Sequence, residues 1–320
     1  MIVITGGAGF IGSCLLHRFN ELGVDDIVIV DNLGSTAKWK NLLGKKYAEI
    51  FGKEEFLEKI KQNYFARTIT SIYHLGACTD TTEIDSNYLL SNNYNYSKTL
   101  AKFALDKDIP FFYASSAATY GLGEYGYVDN IFEELRPINA YGFSKHIFDL
   151  WVLKNSYDQY FTGLKFFNVF GPNEYHKNSM ASMVYKSFHQ IKNEKNIKLF
   201  KSNDAAIADG MQSRDFIYVK DVTNVIMKLY KNKAKGIFNV GTGVARSWND
   251  LANSVFTSLE ISPEIEYIDM PTNLANQYQN FTQADLTKLT STIGNFEFTS
   301  LEDSVSDYLL NYLNTNSQYL

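Results

Sequence analysis

Cysteine is scarce in this chain: Cys14 and Cys78 are the only two among 320 residues. That is too few for a disulfide framework, and neither has the spacing of a metal site, so both are expected to be reduced, packed thiols. Long apolar runs are missing as well, since none approaches the roughly 18 residues that a membrane span needs. The first strand starts at once, so no signal peptide is expected and the chain should stay in the cytoplasm, away from membranes. Positive charge is not in excess either. A net charge of -5 leaves no basic stripe for nucleic acid, and the lysines of the short patches Lys38 to Lys46 and Lys192 to Lys201 read as solvated. Internal repeats, Pro-rich linkers and low-complexity runs are absent, although Asn193 to Asp209 is polar enough for a mobile loop. What is present, 45% hydrophobic residues, can bury a large core in one big α/β unit or two lobes.

The amino terminus carries the first strong pattern. Ile2-Val3-Ile4 reads as a buried strand, followed by Thr5-Gly6-Gly7-Ala8-Gly9-Phe10-Ile11-Gly12 and a helix from Ser13 to Leu22. Gly6 allows a tight turn, Gly9 lets backbone N–H groups approach a pyrophosphate, and Gly12 lets the helix pack closely on the strand. A second strand, Ile27 to Val30, ends in Asp31, where a carboxylate can accept a hydrogen bond from the adenosine ribose. Beyond it, apolar strands alternate with helical stretches: Ser71 to Leu75, helix Tyr94 to Asp106, Phe111 to Ala114, helix Tyr141 to Lys154. This winding predicts a Rossmann-type, doubly wound parallel α/β sheet, with a smaller α/β substrate-binding lobe. In such a sheet the strand ends Leu75-Gly76-Ala77-Cys78 and Ala114-Ser115-Ser116 border the ligand crevice.

Tyr141 and Lys145 lie four apart and share a helix face. A phenol with a pKa of about 10 is a poor base, and an adjacent ammonium favours its phenolate. The pair is expected to act as a general acid/base beside a nicotinamide, with Ser116 hydrogen-bonding the same substrate oxygen. Tyr94 and Lys98 repeat the spacing, but on a helix face expected to be turned to packing or solvent.

Together these residues resemble the extended short-chain dehydrogenase/reductases, the family of nucleotide-sugar epimerases and dehydratases. Phe167-Asn168-Val169-Phe170-Gly171-Pro172, Arg214 to Val219 and Asn239 to Gly243 extend the likeness along nearly the whole chain. Ala114 to Gly121, His176 to Ser182 and Phe281 to Thr287 are similar to the ADP-heptose 6-epimerases within that family. The resemblance implies an ADP-heptose nucleotide sugar as partner and a place in making a lipopolysaccharide precursor. It implies that Tyr141 takes the C6″ hydroxyl proton while hydride leaves C6″ for the nicotinamide. The 6″-ketone then turns and is re-reduced on its other face, with Lys177 as a second proton carrier.

Other assignments follow from the resemblance alone. Phe10, Ile11, Asp31, Asn32, Lys38, Lys53, Leu75, Gly76, Ala77, Cys78, Thr79, Asn92, Lys145, Val169 and Lys177 correspond to cofactor contacts. Asn168, Ser179, Phe200, Arg214 and Tyr278 correspond to contacts with the sugar nucleotide. Lys186, Lys201, Ser202 and Asn203 occupy further substrate positions, but Lys186 replaces the family histidine and Lys201 to Ser213 is longer than the family pattern. Asp31 alone favours NAD; with Lys38 and Lys53 able to neutralise a 2′-phosphate, and with the family's habit, NADP is the expected cofactor and NAD stays open. The family implies a homo-oligomer, a pentamer. Residues 1–168 are expected to form the cofactor lobe and 169–320 most of the substrate lobe, with segments of about 214–249 returning to the first. A UDP-hexose 4-epimerase shares Ser116, Tyr141 and Lys145 but does not need Lys177, and a 4,6-dehydratase carries an Asp-Glu pair where Ala117-Ala118 stand. A non-catalytic NADP-sensing protein needs only the fold.

Overall fold

Short runs of Ile, Val and aromatic residues, buried on both faces, make the frame of the molecule, as parallel sheets require. The structure is a computed structural model that describes residues 1–62, 64–65, 69–272 and 278–320. Strands β1 (Ile2–Thr5), β2 (Ile27–Val30), β3 (Glu49–Phe51), β4 (Ser71–His74), β5 (Phe111–Ser116), β6 (Phe161–Phe166) and β10 (Gly236–Val240) form one sheet in the order β10-β6-β5-β4-β1-β2-β3. Every pairing in it is parallel. Alternation along the strands serves two cores. Ile2, Ile4, Ile27 and Ile29 pack with Leu15, Leu16 and Phe19 of α1 (Phe10–Glu21) and with Val222, Val225 and Leu229 of α7 (Val219–Lys231). Val3, Val28 and Val30 face the other way, with Phe56 of α2 (Lys53–Lys61), Leu100 and Ala104 of α4 (Tyr96–Asp106) and Phe148 and Val152 of α5 (Ala140–Lys154). The four-residue helix α3 (Ser86–Leu89) leads into α4 through a π-helical turn, Leu90–Asn95.

A smaller unit holds strands β7 (Asn168–Phe170), β9 (Ser213–Tyr218) and β11 (Ala245–Ser247), and a separate pair, β8 (Ile197–Phe200) beside β12 (Ile265–Ile268). Its core joins α6 (Met183–Glu194), α8 (Trp248–Ser258) and the helix Leu301–Tyr308 through Val184, Phe188, Val255 and Val305. One sequence expectation needs correction. The stretch Asn193 to Asp209 is not one loop: Ile197 and Leu199 alternate into the core at 0% and 3% exposure, which makes Ile197–Phe200 a strand. Within the segment 214–249, β10 joins the large sheet and α7 packs on it, whereas β9 pairs with β7 and β11 instead.

The chain leaves β1 towards β2 and β3, then crosses back to β4 on the other side of β1. The carboxyl ends of β1 and β4 therefore meet at the reversal of strand order, where open α/β sheets bind ligands. The approach is tight: a Cβ on Gly6, which has φ +68°, would lie 2.6 Å from Gly76 Cα. Beneath it His74 is buried with both ring nitrogens engaged, Nδ1 2.7 Å from Thr5 Oγ1 and Nε2 2.7 Å from Ser97 Oγ. Burial, aided by the Lys145 charge, pushes His74 down to about 3, well below the ordinary value of about 6.5. The unfolded chain then takes up a proton that the folded chain refuses. Stability is complete above about pH 6.5 and declines as pH falls from there towards about 3. His176, held down to about 4 by burial and by Lys38 and Lys177, acts in the same direction. The thermal midpoint should accordingly drop between about pH 7.5 and 5.5, and less steeply in His74→Asn; equal slopes in the two proteins would refute the role given to His74.

Candidate active site

The glycine turn is built for close contact with an anion. Gly9 N–H donates to Gly6 O (2.9 Å), and a Cβ on Gly12 would stand 2.1 Å from Gly6 O, so α1 rests on the turn itself rather than on a strand side chain. Helix α1 opens at Phe10 with no side-chain cap and no acidic residue in its first turn, leaving N–H groups and the positive dipole end to a ligand. These features fit a dinucleotide pyrophosphate. At the end of β2, Asp31 Oδ2 accepts from Ala8 N–H (2.9 Å) and Oδ1 pairs with Lys38 Nζ at 2.6 Å. Asn32 Oδ1 accepts the backbone N–H of Lys53 (3.1 Å), whose Nζ donates to Asn92 Oδ1 (3.0 Å). The structure thus gathers Asp31, Asn32, Lys38, Lys53 and Asn92 on one side of the turn.

Ser116 ends β5 and Tyr141 stands in the first turn of α5, where Asn139 Oδ1 caps Gly142 N–H at 2.7 Å. Tyr141 is buried at 8% exposure, and its hydroxyl is hydrogen-bonded to Ser116. One turn on, the Lys145 ammonium donates to Ala114 O at 3.1 Å. Burial raises Tyr141 above the ordinary tyrosine value, the Ser116 hydrogen bond opposes this, and the Cys78 thiol adds to it. Lys145 is itself brought down by burial to about 8. Helical spacing placed the two side chains on one face, but burial of both sets their acidity. The repeated pair packs elsewhere: Lys98 lies 4.7 Å from the Tyr94 ring and 5.5 Å from that of Trp151.

Two groups beneath this site carry no motif. Asn93, buried in the π-helical turn, accepts Cys78 N–H (2.9 Å) and donates to Cys78 O (3.0 Å) and Ser144 Oγ (3.0 Å), while Ser144 Oγ donates to Tyr141 O (2.7 Å). It thereby latches the strand end Leu75 to Thr79 to the start of α5. Asp149 pairs with Lys165 at 2.7 Å, both side chains 0% exposed. Asp149 also accepts from Ser115 Oγ (2.7 Å) and Tyr113 Oη (3.2 Å), and Lys165 reaches Thr119 Oγ1 (2.6 Å).

Lys177 sits on the loop after β7, its ammonium 5.5 Å from the ring of Phe10 and lowered below the ordinary lysine value by burial, against the attraction of Glu174. Glu174 is itself fully buried and holds the loop by accepting from Gly171 N–H (3.3 Å), Ser182 N–H (2.6 Å) and Ser182 Oγ (2.6 Å). Ser179 is exposed on the same loop; Asn168 and Val169 stand on β7, and Lys186 is half-buried on α6, lowered by burial and then raised by Glu174.

Farther out, Arg214 lies between two rings, 4.9 Å from that of Tyr278 and 5.6 Å from that of Trp248. Trp248 Nε1 donates to Tyr278 Oη at 2.8 Å. Trp248 has no motif to announce it; it opens α8 behind the capping box Ser247 and Asp250. The longer segment after Phe200 is engaged with itself and the surface. Lys201 pairs with exposed Asp269 (2.8 Å), Ser202 N–H donates to Asp209 Oδ1 (2.8 Å) and Ser202 Oγ to Asp204 O (2.9 Å), with Asn203 exposed between them. No group of three or more His, Cys, Asp or Glu among the described residues is arranged to hold a metal, and no helix there is long and apolar enough to cross a membrane.

The model of the NAD dependent epimerase/dehydratase family matches residues 2–241. The ADP-L-glycero-D-manno-heptose-6-epimerase of Nitratidesulfovibrio vulgaris strain DP4 is 44% identical over 323 residues, covering 100% of both chains. The protein of the same name from Fusobacterium nucleatum is 43% identical over 332 residues, again covering 100% of each. Among solved structures, the Helicobacter pylori ADP-L-glycero-D-manno-heptose-6-epimerase superposes with a TM-score of 0.82 at 31% identity, covering 97% of this chain and 95% of that one. Sheet order, glycine turn and full-length similarity agree: the chain belongs to the NAD dependent epimerase/dehydratase family, on the branch of the ADP-L-glycero-D-manno-heptose-6-epimerases.

Proposed function

We propose that this chain is an isomerase that interconverts ADP-D-glycero-D-manno-heptose and ADP-L-glycero-D-manno-heptose by oxidising and re-reducing C6″. The observation that carries this reading is similarity of 43–45% identity, end to end, to epimerases of that name. When bound, the nicotinamide cofactor accepts hydride from the substrate carbon and returns it. The chain's own residues do the rest. Ser116 orients the C6″ oxygen, and Tyr141 takes its proton during oxidation. Lys145, tied to Ala114 O, fixes the floor beside them. Once the ketone has turned, its oxygen faces the loop after β7, where Lys177 supplies the proton for reduction. Each well-placed acid or base contributes roughly 10²–10⁴-fold.

The finer assignments belong to the same proposal. NADP is the cofactor, because the Lys38 ammonium already neutralises Asp31 at 2.6 Å, removing the charge that would repel a 2′-phosphate, and Lys53 opens α2 just after the adjoining strand β3. Arg214, with a planar fork of donors, holds the diphosphate. Arg214→Lys should therefore raise KM about 10–100-fold with a much smaller change in kcat, as steady-state kinetics would reveal; an unchanged KM would remove Arg214 from the substrate site. The work is placed in the cytoplasm, and the assembly is a pentamer. Direct hydride return also has an isotopic signature. Epimerisation in deuterium oxide should leave C6″ unlabelled by mass spectrometry, whereas deuterium at C6″ would mean proton exchange at carbon and sink this mechanism.

A further inference from the structure

We propose that Asn173 is a positioning residue, one that sets the loop of Lys177 against the cofactor's glycine turn and thereby fixes where the second proton carrier stands. This rests on the proposed role of Lys177. Asn173 is fully buried and adopts φ +75°, an uncommon backbone for a residue with a side chain and one that asparagine tolerates better than most. Every polar group it offers beyond its own N–H is engaged. Its Nδ2 donates to Ser13 Oγ at 3.0 Å, and Ser13 Oγ donates to the carbonyl of Phe10, the first residue of α1 (3.0 Å). Its Oδ1 accepts Leu320 N–H (3.0 Å), and its backbone carbonyl accepts Asn41 Nδ2 (3.0 Å). Asn41, 1% exposed, also donates to Ala8 O in the glycine turn (2.9 Å) and lies 3.3 Å from His176 Nδ1, next to Lys177.

Two buried amides thus join three parts of the chain: the turn at Ala8, the first turn of α1, and the loop from Asn173 to Lys177. The lysine end is fixed as well, because Lys177 N–H donates to Glu174 O at 2.9 Å. The same turn and helix end are the features that fit the pyrophosphate. A group tied to them keeps its distance from whatever they hold, which is what an acid serving one face of a ketone requires. A misplacement of about 1 Å can cost about 10²-fold in rate.

Asn173→Gly tests this in the purified holoenzyme, since glycine keeps the positive φ and removes only the amide. Epimerisation kcat should fall about 10–100-fold, with KM changed less than about twofold and cofactor retained. Combined with Lys177→Met, the same substitution should add less than about twofold, because its effect runs through the lysine. Asn41→Ala, which keeps the Asn173 side chain and removes the donor to the carbonyls of Asn173 and Ala8, should reproduce the kcat loss. Full-speed Asn173→Gly or Asn41→Ala enzyme beside an impaired Lys177→Met enzyme would overturn the positioning role alone, as would full additivity in the double variant. Undiminished turnover in Lys177→Met would instead overturn the reading of Lys177 on which the proposal stands.

Discussion

Tyr141→Phe is expected to lower epimerisation by about 10²–10⁴-fold while the protein stays folded and keeps its cofactor. The phenyl ring fills the same buried space, and the Asn139 cap on Gly142 and the Ser144 bond to the Tyr141 carbonyl are untouched. What disappears is the proton and the oxygen that meets Ser116. Burial, with the Cys78 thiol, raises the phenol while Ser116 opposes this, and Lys145 is brought down to about 8; taking the substrate proton and returning one both depend on the oxygen that only the tyrosine places beside Ser116. The measurement is turnover by chromatography of the two epimers, set beside the thermal midpoint and the cofactor absorbance of the same preparation. Turnover within about twofold of the parent would take Tyr141 out of the chemistry, a change smaller than about 0.5 kcal/mol in barrier.

Lys165→Met is expected to cause the largest loss of stability. It leaves the Asp149 carboxylate at 0% exposure with the Ser115 and Tyr113 hydroxyls as its hydrogen-bond partners and without its ion pair, the Lys145 charge acting on it without a direct bond. Breaking a buried pair from one side costs about 3–5 kcal/mol, which for a chain of this size lowers the midpoint by about 4–8 °C. Replacing both partners, as Asp149→Leu with Lys165→Met, should recover part of that loss, because no uncompensated charge remains. Differential scanning calorimetry of the two variants decides. A single variant within about 2 °C of the parent, or a double variant worse than the single, would contradict the assignment of the pair as the anchor beneath Ser116 and Lys145.

Much of the frame was legible in the sequence because it depends on local repetition. The Ile27 to Val30 run gave its strand to the residue, and the glycines announced a turn whose crowding at Gly6 and Gly12 leaves no room for a side chain. Tyr141 and Lys145 were legible as neighbours on α5, but not their acidity, which depends on burial by chain far away. The parts that escaped are long-range. Asn41 meets a carbonyl 132 positions away, Asp149 and Lys165 come from a helix and a strand with no shared motif, and Trp248 reaches Arg214 and Tyr278 from the start of α8. Single polar residues of this kind carry no period. Polarity also misled over Asn193 to Asp209, where two buried residues, Ile197 and Leu199, outweighed the surrounding charge and formed a strand.

The most direct test is to incubate the purified protein with ADP-D-glycero-D-manno-heptose, adding no cofactor, and to resolve the C6″ epimers. Conversion to a mixture, reached also from the L-glycero epimer, is the expected result and means that a bound cofactor is recycled without net oxidation. Unchanged substrate, even with NADP and NAD supplied, would contradict the assignment of the heptose as substrate.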